Sequence, residues 1–100
     1  MPNKLVRDNI PEIIKKTGKI PITHIANDEE YWNKLKEKLQ EEVNEFCEDS
    51  NKDEMADLLE VIYTIYDFKK FDKKELELLR AEKSKEKGEY KNKVVLDRVE

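Results

Sequence analysis

The chain holds one cysteine, two glycines, three prolines and one histidine among its 100 residues, and each scarcity closes off a class of protein. The lone Cys47 forbids an internal disulfide, and its position one residue past Phe46 reads as inert packing. So little glycine and proline leaves too few turn formers for a β-rich fold and no Gly-rich loop to cradle phosphate. Long apolar runs are missing too. The most apolar stretch, Met55 to Phe68, is interrupted by Asp57, Glu60 and Asp67 and is too short to span a bilayer. No apolar signal stretch follows Met1-Pro2-Asn3-Lys4, so a cytoplasmic protein with no membrane partner is expected. Basic residues are outnumbered, 20 against 24, for a formal net charge of −4, the wrong balance for a nucleic-acid surface. With 44% charged residues against 37% hydrophobic ones, the expected single domain (residues 1–100) has a thin core, and a partner subunit is expected.

What is present is helical spacing. Asp8-Asn9 and Pro11 stand ahead of Glu12-Ile13-Ile14-Lys15-Lys16, and Gly18 is placed to stop a short helix. Lys19 to Ala26 reads as loop or short extended segment. Asn27 with Glu30 fits a capping box, and apolar residues then recur at Trp32, Leu35, Leu39, Val43 and Phe46. The polar stretch Glu48 to Lys52 predicts a turn. A second helix, from about Asp53 to Phe68, carries apolar residues on more than one face and is expected to form the buried centre. Asp72 and Glu75 mark another capping box, opening a helix that runs towards Gly88. The apolar tail, Val94-Val95-Leu96 and Val99, is suited to dock on the bundle or on a second chain. The expected fold class is all-α.

The informative residues are carboxylates lying on or beside the apolar stripe. Glu42 follows Leu39 by three and precedes Phe46 by four, so it sits on the stripe itself. Glu41 and Glu45 share its helical turn, and Glu54 and Asp57 repeat the three-residue spacing on the next helix. Across an antiparallel hairpin Glu45 faces Glu54 and Glu42 faces Asp57, one turn apart, about 4.5 Å along the axis. Chance Glu-x-x-Glu spacing is common on solvated faces, but two such motifs matched in level are not. Clustered carboxylates repel one another and lose hydration, so a cation must compensate. Only Lys38 and Lys52 flank the motifs, and His24 lies in a loop. Oxygen-only ligands suit a hard divalent ion, Mg²⁺ first and Mn²⁺ second, rather than zinc. The missing Glu-x-x-His pair counts against a di-iron bundle.

Glu41-Glu42-Val43-Asn44-Glu45 followed by Glu54-Met55-Ala56-Asp57 resembles the EExxE…ExxD signature of the all-α nucleoside triphosphate pyrophosphatases, which include MazG proteins, dimeric dUTPases and phosphoribosyl-ATP pyrophosphohydrolase. The opening Lys4 to Ile14 and the tail Lys83 to Leu96 are similar to those of the small MazG-like members. Only eight residues separate Glu45 from Glu54, fewer than in typical MazG domains, which leaves little room for insertions that recognise a base. The resemblance implies Mg²⁺-dependent hydrolysis of a nucleoside triphosphate to a monophosphate and pyrophosphate, as house-cleaning of non-standard or surplus nucleotides. It places the metal on Glu42, Glu45, Glu54 and Asp57, with Glu42 also in the catalytic set. Glu41 is a further ligand or orients the water. Lys4, Arg7, Lys83 and Lys87 are the candidate substrate cations. Each has a plainer reading, Arg7 as an ion pair with Asp8 and the lysines as a solvated helix face. Trp32, Tyr63 and Tyr66 suit the core better than a nucleobase. The resemblance further implies a homodimer or dimer of dimers, in which helices of two protomers complete a four-helix bundle. Two other functions remain open: phosphoribosyl-ATP pyrophosphohydrolase, and a non-catalytic helical nucleotide-binding or adaptor module.

Overall fold

The computed structural model describes residues 3–100, which form four α-helices and, among the described residues, no strand. They are α1 (Ile10–Lys16), α2 (Asp28–Asp49), α3 (Lys52–Phe68) and α4 (Lys73–Lys87). The all-α expectation holds. The chain divides into two compact units, the first ending at Ile65 and the second running Tyr66–Glu100. Among the described residues no helix is long and apolar enough to cross a membrane.

In the first unit, Pro11 sits in the opening turn of α1, where a missing N–H costs nothing. Gly18, just beyond the end, takes a left-handed φ of 88° that favours glycine. Asn27 caps α2 as expected, its Oδ1 accepting from the Glu30 N–H at 2.9 Å. The Glu30 carboxylate turns to His24 Nε2 at 2.8 Å, so the histidine takes the return half of the expected capping box.

The turn expected after α2 falls inside the polar stretch and is tight. α2 continues through Asp49, and only Ser50 and Asn51 separate it from α3. Both residues act as caps, which is why no longer loop is needed. Ser50 adopts a left-handed φ of 49°, and its N–H reaches the Phe46 carbonyl at 2.7 Å. Asn51 Oδ1 accepts from the Glu54 N–H at 2.9 Å and so starts α3.

Few side chains are fully enclosed. Leu35 is 1% exposed and Val61 8%. On α3, Met55, Leu59, Ile62 and Tyr63 remain 38–47% exposed, so within one chain this helix is not the buried centre its composition suggested. Its apolar residues occupy more than one face, and Val61 alone of the described residues of α3 is fully enclosed. Cys47 is exposed rather than packed, because α2 turns it away from the stripe that Phe46 follows.

In the second unit, Asp72 Oδ1 accepts from the N–H groups of Lys74 and Glu75 at 2.8 and 3.1 Å, and α4 ends at Gly88 as expected. The tail beyond carries Tyr90, Val94, Val95, Leu96 and Val99, all exposed.

Because Asn51 satisfies the first turn of α3, Asn51→Ala should destabilise the chain by about 1 kcal/mol in urea unfolding, while Asn51→Asp keeps most of the loss away. Equal stability of Asn51→Ala and the parent would show that the cap is dispensable.

Candidate metal centre

The two-residue turn sets the register in which α2 and α3 offer their carboxylates. Side-chain oxygens of Glu42, Glu54 and Asp57 lie within 4.8 Å of one another. Glu45 lies beside Glu54 and adds to the repulsion felt by Glu42. These are the neighbours expected from an antiparallel hairpin, with Glu42 beside Asp57 and Glu45 beside Glu54.

Burial sharpens the conflict. Glu42 is only 5% exposed, and its Oε2 and that of Glu54 are buried without a hydrogen-bond partner among the described residues. Burial pushes the Glu42 carboxyl above its ordinary value, and Glu45 and Asp57 add to the rise, against a hydrogen bond from Lys38. Glu54 is raised for the same leading reason, with Asp57, Asp49 and Glu42 as the repelling charges. Glu41 moves the other way. Burial would raise it, but Lys38 and Lys4 together hold it below the usual carboxylate value.

Three cations answer this charge. Lys38 Nζ stands 3.3 Å from Glu42 Oε1 and 3.4 Å from Glu41 Oε2. Lys4 Nζ reaches Glu41 Oε1 at 3.4 Å. Arg7 Nη2 donates to Asp57 Oδ1 at 2.8 Å, so its carboxylate partner is Asp57 of α3 rather than the adjacent Asp8. Of the four cations singled out in the sequence, Lys4 and Arg7 therefore stand on the carboxylates. Lys83 and Lys87 lie on α4 in the second unit, both exposed. Lys38 was visible in the sequence only as a flanking residue. Its signal was its helical spacing, three residues before Glu41 and four before Glu42, which puts its amine over both.

A cleft of about 570 Å³ opens beside the cluster, walled by the N-terminal segment, α2 and α3, with Arg7, Lys38, Glu42 and Asp57 among its lining. Tyr31 lines it as well, although Trp32, Tyr63 and Tyr66 were the aromatics weighed from sequence. Trp32 carries Lys36 above its ring at 5.4 Å, and Tyr66, in the second unit, carries Lys73 at 5.5 Å.

The donor set suits a hard divalent cation. All three residues offer carboxylate oxygens, and Glu42 and Glu54 each have one oxygen buried without a partner among the described residues, the condition a metal ion relieves. Glu42, Glu54 and Asp57 are placed to hold such an ion, with Glu45 beside them.

No family model matches the chain, and no solved structure matches it. One relative, an uncharacterized protein of Mycolicibacterium smegmatis, is 50% identical over 42 residues, which is 42% of this chain and 43% of the relative. The chain therefore spans less than half of that relative in the match.

A carboxyl with a raised folded pKa binds its proton more tightly folded than unfolded. The stability it carries is present below its unfolded value near 4.5 and is lost as pH rises through the raised value. Removing the charge removes the loss. Metal-free Glu42→Gln should melt several degrees above the parent at about pH 7.5, with the difference vanishing towards the ordinary glutamate value near 4.5. A variant that melts lower at the higher pH would show that Lys38 outweighs the repulsion.

Proposed function

We propose that this chain is a MazG-like, Mg²⁺-dependent nucleoside triphosphate pyrophosphohydrolase, releasing pyrophosphate and a nucleoside monophosphate from non-standard or surplus nucleotides. The observation that carries this reading is the pair of buried, unpartnered carboxylate oxygens on Glu42 and Glu54, converging with Asp57 at the wall of a cleft that also presents Arg7 and Lys38. A bound divalent ion supplies charge neutralisation and Lewis-acid polarisation at phosphorus. The protein's part is positional. Glu42, Glu45, Glu54 and Asp57 hold the ion. Glu41, kept ionised by Lys4 and Lys38, accepts a hydrogen bond from the attacking water and orients it. Arg7, Lys4 and Lys38 line the path of the phosphates, with Lys83 and Lys87 as further candidate cations.

The half-exposed apolar face of α3 supports a homodimer or dimer of dimers, in which a second protomer completes a four-helix bundle. The apolar tail, exposed as well, favours a second reading as a non-catalytic nucleotide-binding or adaptor module. Five carboxylates gathered on one hairpin serve no purpose in an adaptor, which is why the hydrolase is preferred.

Pyrophosphate release should be measured from ordinary, oxidised and deaminated nucleoside triphosphates and from phosphoribosyl-ATP, with Mg²⁺ and with EDTA. The hydrolase releases pyrophosphate only with the metal, and Glu45→Gln reduces the rate by about 100-fold or more. A folded protein that is silent across the panel and takes up no Mg²⁺ would sink the reading. For the assembly, sedimentation should give a dimer or larger, and Leu59→Lys should shift it towards monomer.

A further inference from the structure

One cation of the N-terminal segment is spent on a carboxylate that the proposed metal also needs, and a second on its neighbour Glu41. Arg7 Nη2 donates to Asp57 Oδ1 at 2.8 Å, and Asp57 is one of the three residues whose oxygens converge. Lys4 stands on Glu41 at 3.4 Å.

We infer that Arg7 is an exchangeable counter-ion, which occupies Asp57 until a divalent ion takes that carboxylate and is then handed to the phosphates of the substrate. This rests on the metal reading above and adds an order to it: ion first, polyphosphate second. A guanidinium and a divalent ion in contact with one carboxylate repel each other, the more so where a cleft partly excludes water. The buried Oε2 of Glu42, without a partner among the described residues, biases the exchange towards the ion.

The geometry lets the side chain move while its backbone stays. The Ile10 N–H donates to the Arg7 carbonyl at 3.0 Å, fixing residue 7 to the start of α1. Lys34 Nζ donates to the Asn3 carbonyl at 2.8 Å, fixing the segment to α2. The Arg7 side chain itself is 57% exposed and lines the same cleft as Lys38, Glu42 and Asp57, so a released guanidinium remains beside the site. Its planar fork of N–H donors matches phosphate oxygens in pairs.

The exchange has a signature that a merely structural ion pair lacks, which is opposite signs in two titrations. By calorimetry on the full chain, Arg7→Gln should bind Mg²⁺ alone about fivefold more tightly than the parent, because a competitor is gone. It should bind premixed Mg²⁺–tripolyphosphate about tenfold more weakly, because a phosphate ligand is gone. Arg7→Lys, keeping the charge, should fall between the two chains in both titrations. Equal Mg²⁺ affinity in parent and Arg7→Gln, or weakening in both titrations, overturns the exchange and leaves the metal reading intact. No Mg²⁺ uptake by either chain overturns both. In the parent, the Arg7 side-chain Nε–H resonance should shift on adding Mg²⁺, and an unmoved resonance overturns the exchange without any variant.

Discussion

A carboxylate withdrawn from water beside two others raises the energy of the folded chain, and Glu42 is held in that position. It is enclosed on the α2–α3 hairpin next to Glu54 and Asp57, with one oxygen unpartnered. Much of the first unit is arranged around that charge. Lys38 comes from one helical turn earlier on α2, and Arg7 and Lys4 come from the segment before α1. The N-terminal segment lies where it does in part because the carboxylates attract it. It is held by ion pairs and by Lys34 on the Asn3 carbonyl, with Leu5 and Val6 only half-buried beneath. Exposed pairs of this kind contribute little stability each. The segment is therefore among the least strongly held parts of the unit, and it carries the cations the site would use.

The apolar side of the molecule is unbalanced in the opposite sense. Among the described residues, Leu35 and Val61 are the enclosed hydrophobic side chains, while α3 leaves Met55, Leu59, Ile62 and Tyr63 half in solvent. Caps supply what local order they can: Asn27 for α2, Ser50 and Asn51 at the turn, and Asp72 for α4. Caps fix where helices begin and end, but they do not replace a core. A helix apolar on more than one face and covered on one is a surface waiting for cover. That is the physical content of the proposal that a second protomer completes the bundle.

Much of this could be read from residue order. The caps at Asn27 and Asp72, the stop at Gly88 and the end of α3 at Phe68 follow from local chemistry, and the structure has them where spacing put them. The level matching of Glu42 with Asp57 and of Glu45 with Glu54 followed from helical geometry alone. What failed depended on contacts that pattern does not encode. The turn expected within Glu48 to Lys52 is there, but polarity could not show that Ser50 and Asn51 alone make it, because their capping contacts let both helices run on into the polar stretch. Apolar content made α3 look buried, but burial needs neighbours on every apolar face, and Met55, Leu59, Ile62 and Tyr63 stay exposed. Arg7 looked suited to Asp8 by adjacency, whereas its carboxylate lies fifty residues away on α3. The role of Lys38 was open to inference from its spacing to Glu41 and Glu42, once both were recognised as requiring a cation.

The shortness of the α2–α3 turn joins these observations. Two capping residues with strict backbone demands permit little slippage between the helices, so the carboxylates on either side meet at a fixed level. A longer loop would let α3 slide and relieve the repulsion among Glu42, Glu54 and Asp57. Natural sequences break local rules chiefly where function requires it, and here a like-charge contact is preserved by the very turn that could have relaxed it. Asn51 caps α3 through the backbone N–H of Glu54, so the residue that fixes the turn also anchors one of the carboxylates. Stability and charge placement are thus set by the same hydrogen bond, and the hairpin holds its carboxylates together at a cost that a divalent cation would offset.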